Sequence, residues 1–208
     1  MENMLSSIPG EIVKGIRLTL VFGLVTGIIY PLAITGVSQV AFHNQANGSL
    51  VTDKSGQVVG SSLIGQWFDP SDLRYFHPRP SATADPSTGA ALPYAANNSA
   101  GSNFGPSNQN LINRVQDQVS QLSSIEKNIA DGVPVDMVTT SFSGLDPDIS
   151  VANARIQAQR VAAVRGLDQV KVQALVDKYT GGRILWVFGE PHVNVLLLNM
   201  ALDSGEAE

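Results

Sequence analysis

Asp53-Lys54-Ser55-Gly56 is one residue away from Asp-Lys-Thr-Gly, a run in which an aspartate takes up a phosphoryl group from ATP. That chemistry also needs a Thr-x-Thr continuation and a nucleotide domain, and the sequence offers neither. A turn built on Asp and Gly explains the four residues better. Asp146, Asp148 and Ser150 carry the alternation that opens a calcium loop. The sixth position, however, is Val151 rather than glycine and the twelfth is Gln157 rather than glutamate, so a turn followed by a helix cap accounts for them. His43, His77 and His192 show no metal-ligand spacing. There is no Gly-x-Ser-x-Gly elbow and no Gly-Lys-Ser/Thr phosphate loop. Cysteine is absent, which removes disulfides and thiolate chemistry together. The sequence predicts no catalytic residue, no metal site and no resident cofactor.

The elements available to position a site fall into two parts. Residues 18–36, LTLVFGLVTGIIYPLAITG, form one uncharged stretch. As a helix it is roughly 28 Å long, against a hydrocarbon core of about 30 Å. Lys14 and Arg17 precede it, and no Lys or Arg follows until Lys54. The positive-inside rule then keeps the N-terminus in the cytoplasm and places the rest outside. A cleaved secretory signal has a shorter apolar region and a small-residue cleavage pattern, and VSQVAFHN gives no clean match. The expected division is a short cytoplasmic N-terminus (1–14), a transmembrane anchor helix (15–41) and an extracytoplasmic domain (42–208).

Within the anchor, Gly15, Thr19, Gly23 and Gly27 fall every fourth residue, a ridge of small side chains that lets a second helix approach closely. Thr26, Tyr30 and Thr35 add polar groups that lipid leaves unsatisfied, and Pro31 opens a carbonyl one turn back. Gly15, Thr19, Gly23, Gly27, Tyr30 and Pro31 are therefore the candidate helix-packing residues.

The remaining chain is long enough for one domain with its own core. Charged residues make up 15% of the sequence and the net charge is −5, so no basic patch favours nucleic acid. QVVGSSLIGQWF reads as one or two strands. Residues 75–113 hold only Arg79 and Asp85 as charges up to Asn113 and are rich in Pro, Ser, Asn, Ala and Gly, yet carry aromatics among turn signals. An ordered irregular loop is expected there, and such loops tend to be functional. Its candidate contact residues are Tyr75, Phe76, Arg79, Tyr94, Asn103 and Phe104. An apolar stripe predicts a helix from Ser107 or Asn108 to Asp131, stopped by Gly132 and Pro134. DMVTTSFSG reads as extended. Ser150 caps a helix to about Arg165, ended by Gly166, and Asp168 caps another to about Tyr179. RILWVFG reads as a buried strand, and VNVLLLNMAL fits strand or helix. The expected class is α+β, with a single N-terminal transmembrane helix before one mixed domain.

Several runs resist a generic explanation: YPLAITGVSQVAF, QANGSL, SSLIGQWF, YFHPRPSAT, GSNFGPSN, SGLDPDIS, QAQRVAAVRGL and VNVLLLNMAL. In this order, and over nearly the whole chain, they resemble the C subunit of the bacterial high-affinity potassium-transporting P-type ATPase, the Kdp complex. Phe104 and Gln109 depart locally from the pattern. The resemblance implies a non-catalytic subunit in the inner membrane. It implies partners as well: a channel-like potassium-selecting subunit, an ATP-hydrolysing subunit, a small single-helix subunit and the bilayer. It further implies a catalytic chaperone that raises the ATP affinity of the ATP-hydrolysing subunit, with ATP in a transient ternary complex. The rival readings are an anchored extracytoplasmic solute- or ion-binding module and an anchored hydrolase.

Overall fold

The computed structural model of the chain describes residues 8–127, 129 and 132–207. It divides into two units, one ending at Ser49 and one beginning at Leu50.

In the first unit, helix α1 (Ile8–Leu24) runs into helix α2 (Tyr30–Ala41) through a π-helical turn, Val25–Ile29. Pro31 is the cause. It has no N–H for the Gly27 carbonyl, and its ring collides with that carbonyl in a regular α-helix. Widening the turn relieves the clash: the Tyr30 N–H donates instead to the carbonyl of Val25, five residues back. Thr26 donates its hydroxyl to the Phe22 carbonyl at 2.7 Å, so that polar group is satisfied within the helix. Pro9–Ala41 spans 33 residues, long and apolar enough to cross a membrane, and none of the span is buried within the chain. A short helix, α3 (His43–Ala46), follows.

The second unit opens with a small antiparallel hairpin, β1 (Leu50–Thr52) and β2 (Val58–Ser61), bulged between Val51 and Thr52. Its turn explains the Asp53-Lys54-Ser55-Gly56 run. Asp53 Oδ1 accepts from the Ser55 N–H, the Ser55 hydroxyl and the Gln57 N–H at 2.6–2.9 Å, and Gly56 takes a left-handed φ of 82°. The chain then wanders without regular structure to helix α4 (Gln109–Ile125), capped by the side chain of Asn108. Helix α5 (Val135–Val138) is a single turn where the sequence suggests extended chain; Pro134 starts it and the Thr139 hydroxyl bonds back to Val135.

A three-stranded antiparallel sheet in the order β3-β5-β4 supports the core, from β3 (Asp148–Ser150), β4 (Thr180–Gly181) and β5 (His192–Asn194). Each of its two longer strands passes straight into a helix through a capping residue. Ser150 caps α6 (Val151–Arg165), and Asn194 caps α8 (Val195–Asp203). Asn194 thus resolves the ambiguity of VNVLLLNMAL: the run is strand before it and helix after it. Gly166 closes α6 with φ 68°, and Asp168 caps α7 (Gln169–Lys178). The core lies where α6, α7 and α8 meet the sheet, around Phe76, Ile149, Val161, Val176, Val193 and Leu198. One long apolar N-terminal helix followed by a small α+β domain is the class the sequence predicts.

Two further expectations fail for identifiable reasons. The predicted helix to Asp131 stops at Ile125, because Glu126 turns inward in extended conformation; Asp131 lies outside the described residues. RILWVFG is not a buried strand. The run folds back on itself, with Ile184 and Phe188 exchanging both backbone hydrogen bonds at 2.9 Å, and Leu185 and Trp186 at its tip take left-handed φ of 51° and 61°. Its five large side chains are between 64% and 90% exposed. A continuous apolar run carries no information about which strand pairs with it, and here it pairs with itself.

Candidate functional site

Helix α6 carries Asn153, Gln157 and Arg160 at positions i, i+4 and i+7, which places all three on one face. All three are buried, although their neighbours Ala154, Ala158 and Val161 already make α6 a core helix. Buried polar side chains must find partners, and these find one another and the irregular loop. The Gln157 amide donates to Asn153 Oδ1 at 2.7 Å and to the His77 carbonyl at 3.0 Å. Its oxygen accepts from the His77 N–H at 2.7 Å and from Arg160 at 2.8 Å. Arg160 also donates to the carbonyls of Leu73 and Tyr75 and pairs with Glu126 at 2.7 Å. At the start of the helix, the Asp136 carboxylate accepts from the Ser150 N–H, the Ser150 hydroxyl and the Asn153 amide at 2.7–2.9 Å.

Beside this polar row lies a cavity of about 270 Å³. Trp67, Phe68 and prolines 70, 78, 80 and 93 form much of its wall; His77, Arg79, Glu126 and Gln157 supply polar groups, and Leu122 and Ile125 close it from α4. Glu126 Oε2 is buried and has no hydrogen-bond partner. Burial raises the Glu126 pKa, opposed by the Arg160 guanidinium. Burial lowers the pKa of His77, and the Arg160 charge adds to the effect. The His77 Nε2 lies 2.9 Å from the Asp72 carbonyl oxygen. Among the described residues no three His, Cys, Asp or Glu side chains cluster to hold a metal ion. Asp146, prominent in the sequence, accepts from Arg79 at 2.9 Å and from the Asp148 N–H at 3.1 Å.

The six loop residues divide by position. Phe76 is fully buried in the core, and Tyr94 is buried with its hydroxyl on the Arg79 carbonyl at 2.8 Å. Desolvation raises the pKa of that phenol. Arg79 ties the loop to Asp146, and Tyr75 lies under the Arg165 guanidinium at 4.8 Å while donating to Asp203 at 3.1 Å. Only Asn103 and Phe104 present exposed side chains; Phe104 sits 5.3 Å beneath the Arg114 guanidinium. The Ser and Thr residues explain why so uncharged a segment is ordered. The Ser81 hydroxyl serves the Gly144 carbonyl and the Tyr94 N–H, and the Thr83 hydroxyl serves the Leu92 carbonyl and the Ala95 N–H. They act as hydrogen-bond partners for the loop's own backbone and for that of Gly144 beside it.

On the apolar helix, a Cβ built at Gly15, Gly23 or Gly27 meets nothing within 4 Å, so the small-residue face that also holds Thr19 is open within this chain. Tyr30 and Pro31 follow the π-turn directly. Sequence reasoning missed Glu126, Asn153, Gln157, Arg160 and Asn199. For the four on helices the available signal was polar residues inside alanine-rich or leucine-rich runs; nothing local to Glu126 marked it.

The family model described as KdpC: K+-transporting ATPase, c chain, matches residues 12–204. The chain is similar to the potassium-transporting ATPase KdpC subunit of Rhodopseudomonas palustris (strain BisB18), with 50% identity over 94% of this chain and 98% of that relative. The KdpC subunit of Sorangium cellulosum (strain So ce56) is 52% identical over 89% of this chain and 93% of its own length. That of Bradyrhizobium diazoefficiens is 48% identical over 95% of this chain and 98% of its own. With the match extending from the apolar helix to the end of α8, the chain belongs to the KdpC family, the c chain of K+-transporting ATPases.

Proposed function

We propose that this chain is a membrane-anchored, non-catalytic subunit of an ATP-driven potassium-uptake complex, with its N-terminus in the cytoplasm and its α+β domain outside. It assembles with a channel-like potassium-selecting subunit, an ATP-hydrolysing subunit and a small single-helix subunit. The observation that carries the reading is family membership over a chain that joins an apolar helix with an open small-residue face to a compact domain. The domain's buried polar groups support it too, since Gln157 and Arg160 are engaged in holding the loop.

The chain acts as a catalytic chaperone that raises the ATP affinity of the ATP-hydrolysing subunit. With the domain across the membrane from cytoplasmic ATP, the effect passes through the anchor helix and the pump's own helices. A coupling of about 1–3 kcal/mol needs only contacts that differ between two pump states. The test is ATPase activity against ATP concentration, with the chain intact and with everything after Phe42 deleted, alongside co-purification. An assembled complex that needs more ATP supports the chaperone reading. An assembled complex with unchanged ATP dependence refutes it, and failed assembly makes the domain a structural clamp.

One observation favours a second reading, an anchored ion- or solute-binding module: the partnerless Glu126 oxygen beside the 270 Å³ cavity. Equilibrium binding of potassium to the detergent-solubilised chain, compared with Glu126→Gln, tests it.

A further inference from the structure

The strongest unexplained surface on the domain is the 183–190 hairpin. Ile184, Leu185, Trp186, Val187 and Phe188 form an uninterrupted apolar tip, with Trp186 90% exposed at its apex. Soluble surfaces scatter single apolar side chains, and five in a row on a protrusion mark a contact with an apolar phase.

Three features of the tip bear on what it meets. Part of its backbone is paired within the tip. Ile184 and Phe188 exchange hydrogen bonds at 2.9 Å, the Val187 N–H donates to Ile184 and the Trp186 N–H to Arg183, both at 3.2 Å. Those paired groups keep their partners on leaving bulk water, and the remaining ones, such as the Leu185 N–H, suit the hydrated headgroup region rather than the hydrocarbon core. Next, Leu185 and Trp186 occupy left-handed backbone conformations that glycine would adopt without strain. Bulky apolar side chains are thus displayed at positions where the backbone alone would favour none. Finally, the charges stand at the base: Arg183 and Glu190 pair at 2.6 Å, leaving residues 184–188 uncharged above them. Trp with aliphatic neighbours above a polar base is the arrangement that settles at a membrane–water interface.

The occupant follows from the rest of the chain. A helix able to cross a bilayer ends at Ala41, and the domain's first strand starts at Leu50. So short a connection keeps a lipid surface at high effective concentration for anything on the domain. We propose that the 184–188 tip inserts into the interfacial region of the bilayer that the N-terminal helix spans, giving the domain a second, reversible attachment. The insertion is apolar rather than electrostatic, since the chain carries a net charge of −5 and the tip carries none. It goes beyond the proposed pump function and holds for either side of the membrane.

The absence of cysteine makes a clean test. The full chain carrying Val187→Cys, or Gln116→Cys on the exposed face of α4 as a control, is labelled with an environment-sensitive fluorophore. It is reconstituted into phosphatidylcholine vesicles containing shallow or deep nitroxide lipids. The label at 187 should be blue-shifted, severalfold brighter than in detergent-free buffer, and quenched best by the shallow nitroxide, with the label at 116 unquenched. Replacing a fifth of the lipid with phosphatidylglycerol should leave this unchanged, and Trp186→Glu with Phe188→Glu should abolish it with the far-UV spectrum retained. An unquenched 187 label on a chain that floats with the vesicles overturns the proposal. A label shielded only when the other subunits are added, without nitroxide quenching, overturns it in favour of a protein partner. Failure to float would remove the anchor and the proposal together.

Discussion

Asn199 grips both backbone groups of Phe76: its Oδ1 accepts the Phe76 N–H and its Nδ2 donates to the Phe76 carbonyl, each at 2.9 Å. Gln157 does the same one residue later, at the N–H and carbonyl of His77. Two primary amides, one from α8 and one from α6, thus stand in for a missing β-strand. A side-chain amide offers one acceptor and two donors in a plane, as a peptide edge does. The irregular loop is pinned to the helical core through them.

Asn199→Leu keeps the branched outline of the side chain, with added bulk, and orphans both backbone groups of a buried residue. Each unsatisfied buried group costs about 1–3 kcal/mol, so the loss should be roughly 2–6 kcal/mol. Urea unfolding of the full chain in detergent measures it. A loss below 1 kcal/mol (about the worth of one ordinary hydrogen bond) would mean that water replaces the amide.

Glu126 and Arg160 are a buried pair that ties the end of α4 to α6. Glu126→Ala leaves the guanidinium buried without its counter-charge and should cost about 3–5 kcal/mol. Glu126→Leu with Arg160→Met should cost less than the sum of the single changes, although Arg160 also serves two loop carbonyls. Additive losses in the double-mutant cycle would show that the two side chains act independently.

His77 makes stability pH-dependent. Burial, and then the Arg160 charge, lowers its pKa in the fold, whereas the unfolded chain binds a proton near the ordinary 6.5. The unfolded state therefore holds more protons between the two values, and stability falls as pH drops through 6.5 toward the folded pKa. Glu126 has the opposite sign, because its raised pKa makes the fold bind the proton first as pH falls. The difference in unfolding midpoint between the native chain and His77→Gln, followed from pH 7.5 to 5.5, isolates the histidine. It should shrink on acidification, and a constant difference would show that His77 does not titrate between the states.

Gly65 packs against backbone that cannot yield. A Cβ there would lie 2.5 Å from the Asp146 carbonyl oxygen and 2.5 Å from Tyr94 Cε1. Gly65→Ala should destabilise by about 1–3 kcal/mol through overpacking. Gly182→Ala, where a Cβ meets nothing within 4 Å, provides the comparison. Equal melting shifts for the two variants would refute the steric account.

The small-residue ridge predicts an assembly defect. Gly23→Leu with Gly27→Leu should leave membrane insertion intact and abolish co-purification with the other subunits, since leucine prevents close helix approach. Recovery of the intact complex would show that the helix packs through another face.

Local rules in the sequence were enough for much of this protein. The uncharged 18–36 run is long enough to span a bilayer as a helix, and Pro31 foretells a disturbed carbonyl ladder around Gly27. Ser150, Asp168 and Gly166 mark helix ends because capping depends on neighbours within three residues. Tertiary structure decided what depends on distant partners. Phe76 and Tyr94 read as loop aromatics but are buried, because amides and carbonyls up to 123 residues away position them. The 184–188 run has the composition of a core strand and ends up exposed, because composition measures affinity for an apolar phase and says nothing of which phase is in reach.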